Sequence, residues 1–328
     1  KNRSPQTNMR SSAILAVALG LIGSTGWQSA VGSAEGPVFS GENALQHIAK
    51  QVSFGPRVID HPAKQQTIDY IAGLIQPVAD QWVVEEFASH GLVGRNLWAS
   101  FYPPLPSSAP DQVALSNKPN HQHKSKPRRI MLGAHWDTRP VADRDPVPAN
   151  RQTPIDGAND GGSGVAVLLE LARLFRLKAP PVTVDLVFFD LEDMGNINGL
   201  PFSIGARTFV IKNPYYRPDA GVIIDMVCDR NLVIPHERLS KQFAAELQAK
   251  IWRIAAEEQA SAFVNRNGTA IEDDHLPFLE AGIPVVDLIH WPFPASWHTT
   301  DDKIEQCSEK SLQQVGRVLV NLIYTGDD

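Results

Sequence analysis

A single three-layer αβα domain, with a mostly parallel, mixed central sheet flanked by helices, is the fold class this sequence predicts. Two observations carry that reading. Short apolar runs of the fully buried type alternate with helical patterns, and the acidic and imidazole residues collect where those runs end, which is where open α/β sheets bind ligands. At 328 residues and 43% hydrophobic, the chain has enough apolar material for one large core. No internal repeat or change of composition divides it.

The elements follow in order. Lys1, Arg3 and Arg10 precede an apolar run at 13–23 (AILAVALGLIG), and small residues with candidate cleavage after Ala30 or Ala34 come next. That is the order of a secretory signal. Residues 1–34 therefore read as a signal-peptide-like segment and 35–328 as the catalytic domain, exported to a periplasm or secreted. The run is short for a permanent bilayer anchor, and no cysteine directly follows it to carry a lipid, so no stable anchor is expected once the segment is removed. Helical apolar spacing appears at 41–53 (Leu45, Ile48, Ala49, Val52) and 63–76 (Ile68, Ile71, Ile75), with a turn at FGPRVID 54–60 between them. VVEEF at 83–87 and NLWASF at 96–101 read as strands, and the Pro-, Ser- and Lys-rich stretch 103–128 as a solvated loop. HQH at 121–123 sits in that loop and reads as a polar tip rather than a metal motif.

Then the alternation begins. The spacing predicts strands at 129–134, 182–190, 221–225 and 283–289, and helices at 164–175, 203–212, 239–260 and 308–324. His135 and Asp137 follow the first of these strands, Glu192 and Asp193 the second, and Asp225 ends the third, while Asp160 precedes a helix. A net charge of −6 with no basic cluster excludes nucleic acid as an expected partner. Two isolated cysteines, Cys228 and Cys307, do not make a disulfide framework.

The chemistry lies in GAHWD at 133–137, GAND at 157–160, FFDLED at 188–193 and DDHLPFLEAGIP…WHTTDD at 273–302. Carboxylates and imidazoles without cysteine form a hard, catalytic type of zinc site. The candidates are His135, Asp160, Asp193, Asp225 and His298. Spacing leaves two readings open: two metals bridged by Asp160, or one held by Asp160, Asp193 and His298 with His135 and Asp225 orienting them. Glu192 adjoins Asp193, and neighbouring side chains normally point in different directions, so one can bind metal while the other moves protons.

In order, GAHWD, GANDGGSG, FFDLED, IID, DDHLPFLEAGIPVVDLI and FPASWHTTDD resemble the animal-type glutaminyl-peptide cyclotransferases (glutaminyl cyclases), within the wider M28-like clan of zinc aminopeptidases. The likeness runs over about 45–325 and includes FGPR at 54–57. Its most specific block is FP-x-x-WHT-x-DD following DDH-x-PFL, which aminopeptidase relatives lack. The resemblance implies one zinc per chain on Asp160, Asp193 and His298. It makes Glu192 the general acid/base and Asp225 and Asp273 an acidic hydrogen-bonded pair beside it. It makes Trp297 and Phe293 walls of the substrate pocket and His135 a retained relative of an aminopeptidase ligand. The implied substrates are peptides or proteins with N-terminal glutamine. Three departures stand out: Asp193 and Glu272 occupy positions where animal members usually have Glu and Gln, and Ala134 replaces one of a cysteine pair. The competing expectations are a two-zinc aminopeptidase and, from another class, a non-catalytic zinc or peptide-binding protein. The sequence carries no signal for an oligomeric state.

Overall fold

The structure, a computed structural model, describes residues 36–104 and 128–325. The signal-like segment and HQH at 121–123 lie outside the described residues. Helices α1 (Gly41–Phe54) and α2 (Pro62–Ile75) lead into a hairpin, β1 (Gln81–Ser89) and β2 (Leu92–Phe101). The alternating part follows as β3 (Arg129–His135), α3 (Gly162–Leu177), β4 (Thr183–Phe189), α4 (Ile204–Lys212) and β5 (Ala220–Asp225). Next come β6 (Ile234–His236), α5 (Arg238–Phe243), α6 (Ala245–Glu257), β7 (Phe263–Asn267), α7 (Leu276–Glu280), β8 (Val285–Ile289) and α8 (Glu309–Tyr324).

The central sheet has the order β1-β2-β4-β3-β5-β8. Strands β4, β3, β5 and β8 are mutually parallel, whereas β2 runs antiparallel to both β1 and β4. Every residue of β4, β5 and β8 is buried, because helices cover both faces of those strands. The edge strand β1 alternates between exposed and more buried positions instead. Helices α1, α3 and α8 pack on one another as one layer. On the other face, Phe189 of β4 meets Phe209 of α4 and Phe278 of α7 at centroid distances of 5.8 Å. Gly164 shows how tightly the α3 layer is drawn in: a Cβ there would lie 2.0 Å from the Ile224 carbonyl oxygen of β5. Among the described residues no helix is long and apolar enough to cross a membrane.

The expected architecture is therefore present, with two differences. The helix expected over 239–260 is broken at Ala244 (φ −134°, ψ 39°) into α5 and α6. Its halves are held by different neighbours: Ser240 of α5 accepts a hydrogen bond from the Asp287 backbone of β8, while α6 packs on α8 and β7. The short parallel pair β6–β7 and the one-turn α7 were not foreseen, being too short to leave a period.

Cys228, just past β5, and Cys307, just before α8, are bonded to each other, with Cα atoms 4.6 Å apart and 79 residues between them in sequence. Both are buried, and Ser308 N–H donates to the Cys228 carbonyl beside the bridge. Because such a bond restricts mainly the unfolded chain, replacing both cysteines by alanine should cost about 2–4 kcal/mol of stability. The check is the urea midpoint of the double variant and of the reduced protein. An unchanged midpoint in both would show that the bridge does not constrain the chain.

Candidate active site

The carboxyl ends of the four parallel strands and the loops that leave them make one acidic basin. His135 and Asp225 are the last residues of β3 and β5, Glu192 and Asp193 lie just beyond β4, Asp160 lies two residues before the start of α3, and His298 lies in the loop after β8. All are at most 7% exposed. His135 Nε2 lies 3.1 Å from Asp160 Oδ1 and 3.2 Å from Asp225 Oδ1. His298 Nε2 lies 3.5 Å from Asp160 Oδ2 and 3.2 Å from Asp193 Oδ1. Asp160 thus turns one oxygen to each histidine. Two overlapping groups result, His135–Asp160–Asp225 and Asp160–Asp193–His298, each with its candidate ligand atoms within 4.8 Å of one another.

Elements far apart in sequence hold this arrangement. Asp137 accepts hydrogen bonds from the backbone N–H groups of Glu192 (3.1 Å) and Asp193 (3.3 Å), so one side chain sets the turn that presents both acids. Asp302 accepts from the N–H groups of Asn159 (2.8 Å) and Asp160 (3.0 Å). Arg57 is fully buried and donates to the carbonyls of Trp136 (2.9 Å), Asp156 (2.7 Å) and Gly157 (2.7 Å), pinning the loop before Asp160 from its other side. Burial lowers the Arg57 pKa to about 10, opposed by the charges of Asp302, Asp137 and Asp160. Three non-glycine residues adopt left-handed backbone here: Leu191 (φ 60°), Met226 (φ 50°) and His298 (φ 56°). Such conformations are uncommon, and each lies at or next to a candidate residue, as strained positions at functional sites do.

The electrostatics follow from crowding. Burial pushes Glu192 well above the usual carboxylate range, and Asp273, Asp274 and Asp193 push it further while His135 opposes. Burial likewise raises Asp225 to about 7 against the pull of His135, and raises Asp193 with help from the Asp160 charge. Burial alone would lower His135, but hydrogen bonds with Asp137, Asp160 and Asp225 hold it well above its ordinary value. The acidic pair expected from the resemblance is close but not directly bonded. Asp225 pairs with His135 (3.2 Å), and Asp273 Oδ2 is buried without a hydrogen-bond partner. Behind Asp273 lies a sealed cluster of Asp274, His275, Asp287 and Glu237, all at most 2% exposed. Of this cluster only Asp273 reaches the cavity.

That cavity has a volume of about 340 Å³ and is lined by Glu192, Asp193, Asp225, Asp273 and His298 on its polar side. An aromatic stack adjoining His298 forms part of the apolar wall. Trp297 packs on the His298 ring with centroids 3.9 Å apart and planes at 28°, Phe293 lies 4.3 Å from Trp297, and Trp291 lies 4.8 Å from Phe293. Met226, Ile271 and Ile289 close the apolar side. Of the candidate residues read from the sequence, Asp160, Glu192, Asp193, Asp225, Asp273, Phe293, Trp297 and His298 line this cavity, and His135 sits against Asp160 and Asp225 without lining it. Arg57, Asp137 and Asp302 were missed as positioning residues. Asp137 and Asp302 did lie inside the informative motifs, but Arg57 carried no signal beyond its turn.

The residues fit a divalent metal. Asp160, Asp193 and His298 offer hard oxygen and nitrogen donors, and Asp193 Oδ2 is buried with no partner. Two carboxylates facing one imidazole also leave an excess of buried negative charge that a dication would neutralise.

The sequence profile of peptidase family M28 matches residues 118–323. Glutaminyl-peptide cyclotransferase from Bos taurus is 27% identical over 225 residues, 58% of this chain and 61% of its own length, so the alignment spans about three-fifths of that relative. Glutaminyl cyclase from Tannerella forsythia superposes with a TM-score of 0.76 at 34% identity, over 89% of this chain and all of the other. A leucine aminopeptidase precursor from Bacteroides thetaiotaomicron superposes with a TM-score of 0.78 at 31% identity, over 89% of this chain and 99% of the other. With the donor residues and the sheet in place, the chain belongs to peptidase family M28, where it is similar both to glutaminyl cyclases and to aminopeptidases.

Proposed function

We propose that this protein is a zinc-dependent glutaminyl-peptide cyclotransferase, which converts an N-terminal glutamine of a peptide or protein to pyroglutamate with release of ammonia. The observation that carries the reading is the pairing of a proton-holding Glu192 with a small cavity walled by Trp291, Phe293 and Trp297. A flat five-membered lactam suits such a wall, and one buried side chain fills such a cavity. The similarity to bacterial glutaminyl cyclases over most of the chain supports it.

Glutamine brings both reactants, its α-amine as nucleophile and its γ-amide as electrophile, so no enzyme nucleophile is required. Zinc on Asp160, Asp193 and His298 would polarise the γ-carbonyl and stabilise the oxyanion. Glu192 takes a proton from the attacking amine as the ring C–N bond forms, then gives it to the departing amide nitrogen, which leaves as ammonia. The raised affinity of Glu192 for protons suits one carboxyl to both directions of transfer. Asp273 and Asp274 help keep that affinity high, and Asp225 lines the same cavity. Trp297 and Phe293 hold the glutamine side chain folded toward its own amine, which supplies much of the advantage of ring closure.

One observation favours a second reading. Asp160 faces both histidines, as the bridging ligand of a two-zinc aminopeptidase would. Export to an oxidising compartment is part of the proposal: the segment Arg10 to Ala34 has signal order, and the buried Cys228–Cys307 bridge supports it. N-terminal sequencing of native protein, with a start near residue 31 or 35 expected, checks the export.

Two predictions discriminate. Purified protein should contain one zinc per chain, cyclise Gln-peptides, release no leucine from aminoacyl substrates, and be inhibited by millimolar imidazole, a neutral ligand for the open metal position. Two zincs with leucine release would select the aminopeptidase. The second prediction separates the adjacent acids. Asp193→Ala should lose zinc and activity together. Glu192→Gln should keep zinc but lose about 10²–10⁴-fold in rate, chiefly in kcat. Zinc loss in Glu192→Gln, or near-normal turnover, would mean the two roles are misassigned.

A further inference from the structure

An ion pair in the loop after β3 touches two of the three proposed metal-binding residues. Arg139 is 2% exposed. Its Nε and Nη2 donate to Asp143 Oδ1 (2.7 Å) and Oδ2 (3.1 Å), a two-point fork. The remaining nitrogen, Nη1, donates to the Asp193 carbonyl (3.1 Å), to Asp193 Oδ1 (3.2 Å) and to the Gly195 carbonyl (3.1 Å). Asp143 in turn places Oδ1 3.6 Å from His298 Nδ1, the ring nitrogen that faces away from Asp160 and Asp193. One guanidinium therefore holds both the backbone and the carboxylate of Asp193, and its counter-ion faces the far side of His298.

We propose that Arg139 and Asp143 are positioning residues for the metal, which fix the Asp193 carboxylate and the His298 ring in the orientation that binds the ion and so set how tightly it is held. The inference rests on the reading that Asp160, Asp193 and His298 hold it.

Two effects of Arg139 oppose each other. Its positive charge disfavours a nearby dication, while its grip on Asp193 Oδ1 leaves Oδ2 buried, unpartnered and available as a donor. The bidentate Asp143 neutralises most of the charge, so the positioning effect wins. This arrangement also suits the short side chain at 193. An aspartate has fewer torsions than a glutamate with which to reach a metal, so its backbone must be held, and Arg139 binds that backbone at both the Asp193 and Gly195 carbonyls.

Charge and geometry are separable by substitution. Lysine at 139 keeps the charge but cannot bond Asp143 and three acceptors of the 193–195 turn at once. Asp143→Asn, at a side chain 40% exposed, removes the neutralising charge and leaves the guanidinium in place.

The experiment uses the full chain stripped with a chelator. Zinc affinity is measured by competition with a chromogenic chelator, and the visible absorption of the cobalt(II)-loaded protein is recorded at saturation. The thermal midpoint of the metal-free form is the folding control. Arg139→Met and Arg139→Lys should each bind zinc about 10–100-fold more weakly, the usual consequence of losing an outer partner of a metal ligand, with an altered cobalt spectrum at saturation. Asp143→Asn should weaken zinc too, and it carries the test if the buried Arg139 variants do not fold. Wild-type zinc affinity and an unchanged cobalt spectrum in the folded variants would overturn the proposal. Failure of the folded wild-type protein to bind either metal would instead overturn the metal site itself.

Discussion

Like charge gathered in a buried place is the constraint on which the rest of this structure depends. Asp137, Asp160, Glu192, Asp193, Asp225 and Asp273 meet within one basin, where His135, His298 and Arg139 face them and His275 lies behind Asp273. Two unit charges about 4 Å apart repel by about 4 kcal/mol even at an effective dielectric constant near 20. Such a cluster survives only if its members are neutralised, protonated or pinned. All three remedies are present. His135 sits among three of the carboxylates, Glu192 and Asp225 hold protons readily, and backbone N–H groups bind Asp137 and Asp302.

The pinning groups come from every part of the chain. Arg57, between the first two helices, reaches over 79–100 residues of sequence to hold the carbonyls of Trp136, Asp156 and Gly157. Asp302 binds the same loop from the segment after β8. The loop carrying Asp160 is therefore clamped on two sides before any ligand arrives. Gly161, with φ of 81°, completes the turn into α3, where a Cβ would lie 2.7 Å from the Asp137 carbonyl oxygen and 2.9 Å from the His135 ring.

The candidate metal donors alone do not separate a cyclase from an aminopeptidase. A carboxylate turned to two histidines with an acid at its side suits water activation as well as lactam formation. What remains to distinguish them is the walls: Trp297 flat against His298, Phe293 and Trp291 beyond it, and Met226, Ile271 and Ile289 packed against these aromatics. Except for Ile289, the last residue of β8, these residues lie in segments that follow or connect the strands rather than in the sheet itself.

The sequence by itself determined the sheet, its covering helices and the list of chemical residues. Buried parallel strands demand continuous apolar runs, and the loops after them must carry the polar groups, so a one-dimensional pattern reveals both. FFDLED and WHTTDD were legible because Asp190, Glu192 and His298 directly follow apolar or aromatic residues. Only the tertiary structure decided which groups meet. That Asp160 faces two histidines, that Asp225 pairs with His135 rather than with Asp273, that Cys228 bonds Cys307, and that Arg57, Arg139 and Asp302 hold the site are facts of distance between remote segments. The break at Ala244 was hidden for the same reason: the residues on each side are acceptable in a helix, and it is the separate attachments of α5 and α6 that divide them. Local spacing records how a segment folds against a surface, but not which surface the rest of the chain will present.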